Sequence, residues 1–272
     1  MTTYQIFRNS LWLIVVLLST FPVEAQNRED PFFEKVSGEN YHVELAGTLW
    51  DPLSEGNVSS ESLGIQGSTI DFTTDLGIEK QRFHELRLVL RPAERHKIRI
   101  GFLPLLWNTE TKLPRDLVFN GIQYDQGLPA TSHLQLNTWR LAYEYDFLYL
   151  NRGFIGALIE MKYTDVETIL TSGNETEFSR ARVPIPALGL ISRGYVTRNF
   201  SITGKVTAFS IPKINDKYVG RYVDFDIYGT INFVKQFGVL AGYRSISASF
   251  QIEQDTGELL LQGGYIGAVI RF

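Results

Sequence analysis

The chain has 272 residues, a net charge of −4, 44% hydrophobic residues and no cysteine. That mild acidic balance excludes the broad basic face nucleic-acid binding requires, and the absence of thiols excludes disulfides and thiolate metal sites. Mean hydropathy is only −0.07, so polar residues interrupt apolar ones nearly everywhere.

Residues 1–25 read as a secretory signal, with Arg8 in a short n-region, an apolar run from Leu11 to Leu18, then Pro22 and the small Ala25 before cleavage. Eight apolar residues are too few to cross a bilayer as a helix. Loss of the segment removes Arg8 and Glu24 together and leaves the charge at −4. Residues 26–40 are polar, contain Asp30-Pro31, and are expected to form a flexible periplasmic lead-in. Residues 41–272 are expected to form one domain.

From residue 41 onward the apolar pattern has period two, the signature of strands whose side chains alternate between two faces. Ten runs fit: 41–50, 81–91, 97–107, 133–148, 154–169, 182–193, 199–211, 219–233, 238–252 and 258–272. In the clearest, 222–233, Val223, Phe225, Ile227, Gly229, Ile231 and Phe233 alternate with Asp224, Asp226, Tyr228, Thr230 and Asn232. Runs 182–193, with Pro184 and Pro186, and 238–252 fit less well, and bulges or extramembrane extensions are expected there. The connections alternate between short turns, near 92–96, 149–153, 194–198 and 234–237, and longer segments at 51–80, 108–132, 170–181 and 212–218.

Counting back from the terminal Phe272, the residues Ile270, Ala268 and Ile266 are apolar. This ending, together with the signal segment, resembles the C-terminal strand of small bacterial outer-membrane β-barrel proteins. The resemblance implies an all-β fold, a transmembrane antiparallel up-and-down barrel of about ten strands (eight to twelve), in a Gram-negative outer membrane. It also implies contact with outer-membrane lipid and lipopolysaccharide, recognition of the last strand by the outer-membrane assembly machinery, and a monomer. No cofactor, metal site or nucleic-acid partner is implied.

The polar faces would then point into a lumen. They carry Glu85, Arg87, Arg91, Arg99, Arg140, Glu144, Asp146, Glu160, Lys162, Lys205, Asp224, Asp226, Arg244 and Arg271, which must be paired, hydrogen-bonded or solvated if so confined. Asp224 and Asp226 are placed to meet Lys205 or Arg244. Aromatic residues near strand ends, Trp50, Trp107, Phe147, Tyr149, Phe154, Phe200, Phe233, Phe237 and Phe272, are expected to form the two interfacial belts of such a barrel.

Function is less constrained. A charge-filled lumen with polar outer loops points to a structural or surface-interaction role; the alternatives are a narrow porin-like channel for small polar solutes and an outer-rim hydrolase acting on lipid or peptide. Barrel proteases of the omptin type use an Asp pair and an Asp-His pair at the rim. Here Ser132 and His133 are adjacent and would point to opposite faces, and no matching acidic pair accompanies them. The acidic segment 51–79, with Asp51, Glu55, Glu61, Asp71, Asp75 and Glu79, reads as a solvated loop.

Overall fold

A computed structural model describes residues 36, 38–59, 61–62, 65–78, 80–119, 122–172, 175–214, 218–252 and 255–272. The signal segment, residues 26–35 of the lead-in and Glu79 lie outside the described residues. The described residues contain no helix.

Ten strands form the wall: β1 (Val43–Trp50), β2 (Phe83–Ala93), β3 (His96–Lys112), β4 (Pro129–Leu150), β5 (Gly153–Ser172), β6 (Glu175–Tyr195), β7 (Phe200–Ile214), β8 (Tyr218–Asn232), β9 (Phe237–Ile252) and β10 (Asp255–Arg271). Each is antiparallel to its chain neighbour, and β1 pairs with β10 from Glu44↔Arg271 to Trp50↔Tyr265, which closes the sheet. Closure leaves neither β1 nor β10 as a free edge, as a sheet in hydrocarbon requires.

Strands β4, β5 and β6 have 22, 20 and 21 residues, about twice the roughly 9–11 a tilted strand needs to cross a bilayer. The long connection expected at 170–181 is therefore mostly strand: β5 and β6 continue past the membrane as a hairpin. The irregularity expected in 182–193 is likewise an extension and not a bulge, since β5 and β6 pair without a shift from Gly153↔Gly194 to Ser172↔Glu175. On its other side β6 pairs with β7 only from Tyr195↔Ser201 to Leu188↔Ala208. Pro184 and Pro186 stand just beyond that last pair. Because the ladder to β5 runs through both prolines, the N–H that each lacks falls on the β7 side, where bonding stops.

At the loop end, the segment after β1 folds back over the barrel. Leu53–Ser59 continues the ladder with β10, and Ile70–Asp71 adds to it. A second segment after β3 forms the small hairpin Leu117–Phe119 and Ile122–Tyr124. The two are stitched together by Ser68 N to Val118 O at 2.8 Å and Val118 N to Ser68 Oγ at 3.0 Å.

At the turn end, the last residues of the predicted lead-in are part of the barrel. Gly38 has φ of 104°, a left-handed conformation suited to glycine, and a Cβ there would lie 2.9 Å from Asn232 Nδ2. The bend places Glu39 and Tyr41 inside the mouth, both buried.

Candidate functional site

Alternation places one residue in two of each strand inside, and the interior divides into two layers. The layer toward the turns is ionic. Among the described residues it holds ten basic side chains, Arg87, Arg91, Lys97, Arg99, Arg140, Lys162, Arg193, Lys205, Arg244 and Arg271, and eight acidic ones, Glu39, Glu44, Glu85, Glu144, Asp146, Glu160, Asp224 and Asp226.

Three knots organise these charges. At the centre, Glu85 accepts hydrogen bonds from three guanidinium groups: Arg87 at 2.8 and 2.9 Å, Arg244 at 2.9 Å, and Arg140. Arg244 also grips Asp224 with two bonds of 2.8 and 2.9 Å, and Lys162 approaches the same carboxylate to 3.5 Å. Asp226 accepts from Tyr265 at 2.5 Å and lies 3.2 Å from Arg87, whereas Lys205 bonds Glu160 at 2.9 Å. Of the pairings expected for the two aspartates, Asp224 with Arg244 forms; Lys205 turns to β5 instead.

A second knot sits on β3 and β4, where Lys97 lies 2.9 Å from Glu144 and 2.8 Å from Asp146, and Arg99 bonds Glu144. The third closes the mouth. Glu39 accepts from Arg193 at 2.7 Å and Tyr195 at 3.1 Å, its backbone carbonyl takes a bond from Arg91, and Arg271 joins Glu44 and Asn232 at 2.6 Å each. Glu39, Glu44, Lys97 and Arg193 are absent from the sequence-based set. Lys97 shares the parity of Arg99 and was readable; Arg193 follows the proline-broken run, and Glu39 enters only through the Gly38 bend.

The aromatic assignments divide. Phe147, Phe233, Phe237 and Phe272 face outward near the turns, with Phe233 and Phe272 exposed by 61% and 72%, and Phe200 lies on the outward face of β7, partly covered. Trp50, Trp107 and Phe154 do not belong to a belt: they are exposed by only 1%, 2% and 2%. Parity is the reason. Trp50 lies on the face of Glu44, Trp107 on that of Arg99, and Phe154 on that of Glu160. Tyr149 also turns inward, because the bulge between Tyr145 and Leu148 reverses the alternation, and its hydroxyl accepts from Arg91 at 2.8 Å.

Inside, these rings face cations. Lys97 Nζ is 3.4 Å from the Phe154 centroid, and the Arg244 guanidinium is 5.5 Å from the Trp50 ring. Electrostatic attraction to the ring face favours such contacts most where water is absent.

Above Trp50 the interior becomes apolar. Leu103, Leu105 and Trp107 from β3, Leu134 from β4 and Leu170 from β5 pack with Ile70, Leu76 and Ile78 of the first loop and Leu113, Leu117 and Tyr124 of the second. Phe83 meets Trp107 edge-on at 4.9 Å. The segment read as a solvated acidic loop is therefore a hydrophobic cap. Two of its acids serve that cap: Asp71 accepts from Thr73 N, Thr74 N and Thr74 Oγ1, and Asp75 is held by Arg115 at 2.7 and 3.1 Å and by Asp71 N at 2.9 Å. Burial alone would raise the Asp75 carboxyl, but the Arg115 and Asp71 hydrogen bonds and the Arg115 charge more than reverse it and hold it below the usual value.

At the rim, Ser132 is buried and His133 is half-buried, on opposite faces, and His133 Nδ1 lies 2.6 Å from the Asn108 side-chain oxygen, not from a carboxylate.

No family model and no curated relative matches the chain. Among solved structures, the outer-membrane protease OmpT from Escherichia coli is similar with a TM-score of 0.57 at 9% identity, over 85% of this chain and 96% of that one. The fold is that of the bacterial outer-membrane β-barrels. The Pseudomonas putida toluene transporter TodX (TM-score 0.38, 9% identity, 85% of this chain and 90% of that one) and the Yersinia pestis attachment protein Ail (0.35, 10%, 83% and 99%) are more distant in shape. A closed barrel with apolar residues such as Leu86, Leu141, Ile159, Leu188 and Ile266 exposed outward is the form in which proteins cross that membrane.

Proposed function

We propose that this outer-membrane barrel is a closed, non-conducting pedestal with a structural or surface-interaction role, presenting its outer face and carrying no solute. The observation behind this reading is the doubly filled interior: an ionic layer knotted around Glu85 lies below an apolar layer in which Ile70, Leu76 and Ile78 of the first loop and Leu113, Leu117 and Tyr124 of the second pack against the wall. Among the described residues, the cavity lined by Arg87, Arg99 and Arg140 in the ionic layer holds only about 50 Å³, which supports a lumen filled by side chains. In this reading the outward band contacts outer-membrane lipid and lipopolysaccharide, the Phe272-terminated strand is recognised by the assembly machinery, and the barrel acts as a monomer. The projecting β5–β6 hairpin, whose Asp165 pairs with Arg180 at 2.5 Å, offers the surface for contacts outside the membrane.

Planar-bilayer recording of the refolded protein tests this directly. No steady open level is expected. A stable ohmic conductance, abolished by closing the Arg99–Arg140 region with larger side chains, would replace the pedestal by the channel.

A further inference from the structure

The ionic layer does not balance. Among the described residues ten cations face eight carboxylates, so two positive charges are left over among side chains largely withdrawn from water. Buried charge without a counter-charge is strongly disfavoured, and in such an interior some compensating anion is favoured over bare cations. The surplus has a location. The cavity of about 50 Å³ is lined by Arg87, Arg99, Arg140, Arg193, Lys205 and Arg271, against only Glu44, Glu160 and Asp226.

Two guanidinium nitrogens of that lining, Arg99 Nη2 and Arg140 Nε, are buried and have no hydrogen-bond acceptor in the protein. Arg140 as a whole is more than nine-tenths buried. The neighbouring wall is Gly101, where a Cβ would come within 2.9 Å of Arg140 Nε and 2.8 Å of its Nη2. Any other residue would push the guanidinium aside. Room, surplus charge and unmet donors thus coincide at one place on β3 and β4.

We infer that the cavity between Arg99 and Arg140 binds a small monovalent inorganic anion of halide size. A water needs roughly 10–15 Å³ of such space, so the cavity has room for about three to five water-sized centres, enough for one halide with a few waters and too little for an organic acid the size of gluconate. The anion accepts from Arg99 Nη2 and Arg140 Nε and neutralises part of the surplus, which makes it a structural ligand of the barrel. The site is independent of whether the outer face acts in adhesion or otherwise.

Bromide is the probe. The mature protein, refolded in detergent, is unfolded by heat in sodium bromide and in sodium gluconate at matched ionic strength; gluconate does not fit the cavity. The unfolding midpoint is expected to rise with bromide in roughly equal steps per tenfold increase once the site fills, as mass action requires, and to stay flat in gluconate. Crystals grown in bromide should show anomalous density between Arg99 and Arg140. Arg99→Gln removes one donor and one charge and should abolish the difference between the two salts. The Gly101→Ala substitution, which intrudes on Arg140, should weaken it. Equal behaviour in bromide and gluconate, an undiminished bromide effect in Arg99→Gln, or density for water alone would overturn the assignment. Should Arg99→Gln fail to fold, the wild-type anomalous density decides.

Discussion

The two layers of the interior are built by the same strands on the same inward face, yet one is held by ions and the other by packing. On β3 the change occurs within a few residues: Lys97 and Arg99 belong to the ionic layer, Gly101 adjoins it, and Leu103, Leu105 and Trp107 belong to the apolar one. Inward alternation therefore does not dictate polarity. What sets it is the material across the lumen. Near the turns each strand faces other strands bearing charges, whereas near the loops it faces a cap of Ile70, Leu76, Ile78, Leu113 and Leu117. The layers also tolerate error differently, because an ion removed from a shared knot strands its partners, while a methyl group removed from a packed layer leaves only a void.

The sharpest way to break this contrast is Glu85→Ala, which leaves Arg87, Arg140 and Arg244 crowded together without their common acceptor. Stability, followed by urea unfolding or heat-modifiable gel mobility in detergent, should fall by about 3–5 kcal/mol, the cost of an uncompensated buried charge. Leu105→Ala in the apolar layer should cost about 2–4 kcal/mol, less than the ionic deletion because the loop cap can settle into the space. If the apolar change proved the more damaging, the ionic layer would be dispensable filling. Phe154→Leu keeps an apolar side chain but removes the ring beneath Lys97 and beside Arg193; a loss of about 1–2 kcal/mol is expected, with unchanged partitioning into lipid vesicles. An interfacial aromatic would show the reverse.

The smallest effect concerns the cap itself. Arg115 is half exposed, so Arg115→Ala should cost no more than about 1 kcal/mol at neutral pH, seen as faster proteolysis or hydrogen exchange in residues 68–78. Its pH dependence carries a sign. Asp75 is depressed in the folded protein relative to the unfolded value of 3.8, so the contribution is complete above about pH 4 and is lost as pH falls through the lowered folded value. Wild type and Arg115→Ala should therefore converge in strongly acid solution.

Much of the barrel was readable in the chain. Ten period-two runs became ten staves, and the parity that put Glu85, Arg140, Glu160 and Asp224 on inward faces is a local property of strands. Parity also contradicted the belt assignment of Trp50, Trp107 and Phe154, for which nearness to a strand end was the wrong criterion. Leu240 and Ile246 made run 238–252 look irregular because both face inward and are apolar; Leu240 lines the cavity of the ionic layer, whereas Ile246 joins the upper layer, whose existence no single strand announces. The β6–β7 ladder is similar: Pro184 and Pro186 signalled irregularity, but only the sheet decided which neighbour would be lost.

Sequence alone determined the strand class, their number, the order of turns and loops, and which side chains share a face, since each follows from a repeat of two residues within a single segment. Only the closed structure decided that three guanidiniums share Glu85, that the acidic loop is an apolar lid, and that a cation surplus gathers around one small cavity. Those facts depend on residues as far apart in the chain as Glu85 and Arg244, and only the shear and closure of the barrel bring them within bonding distance.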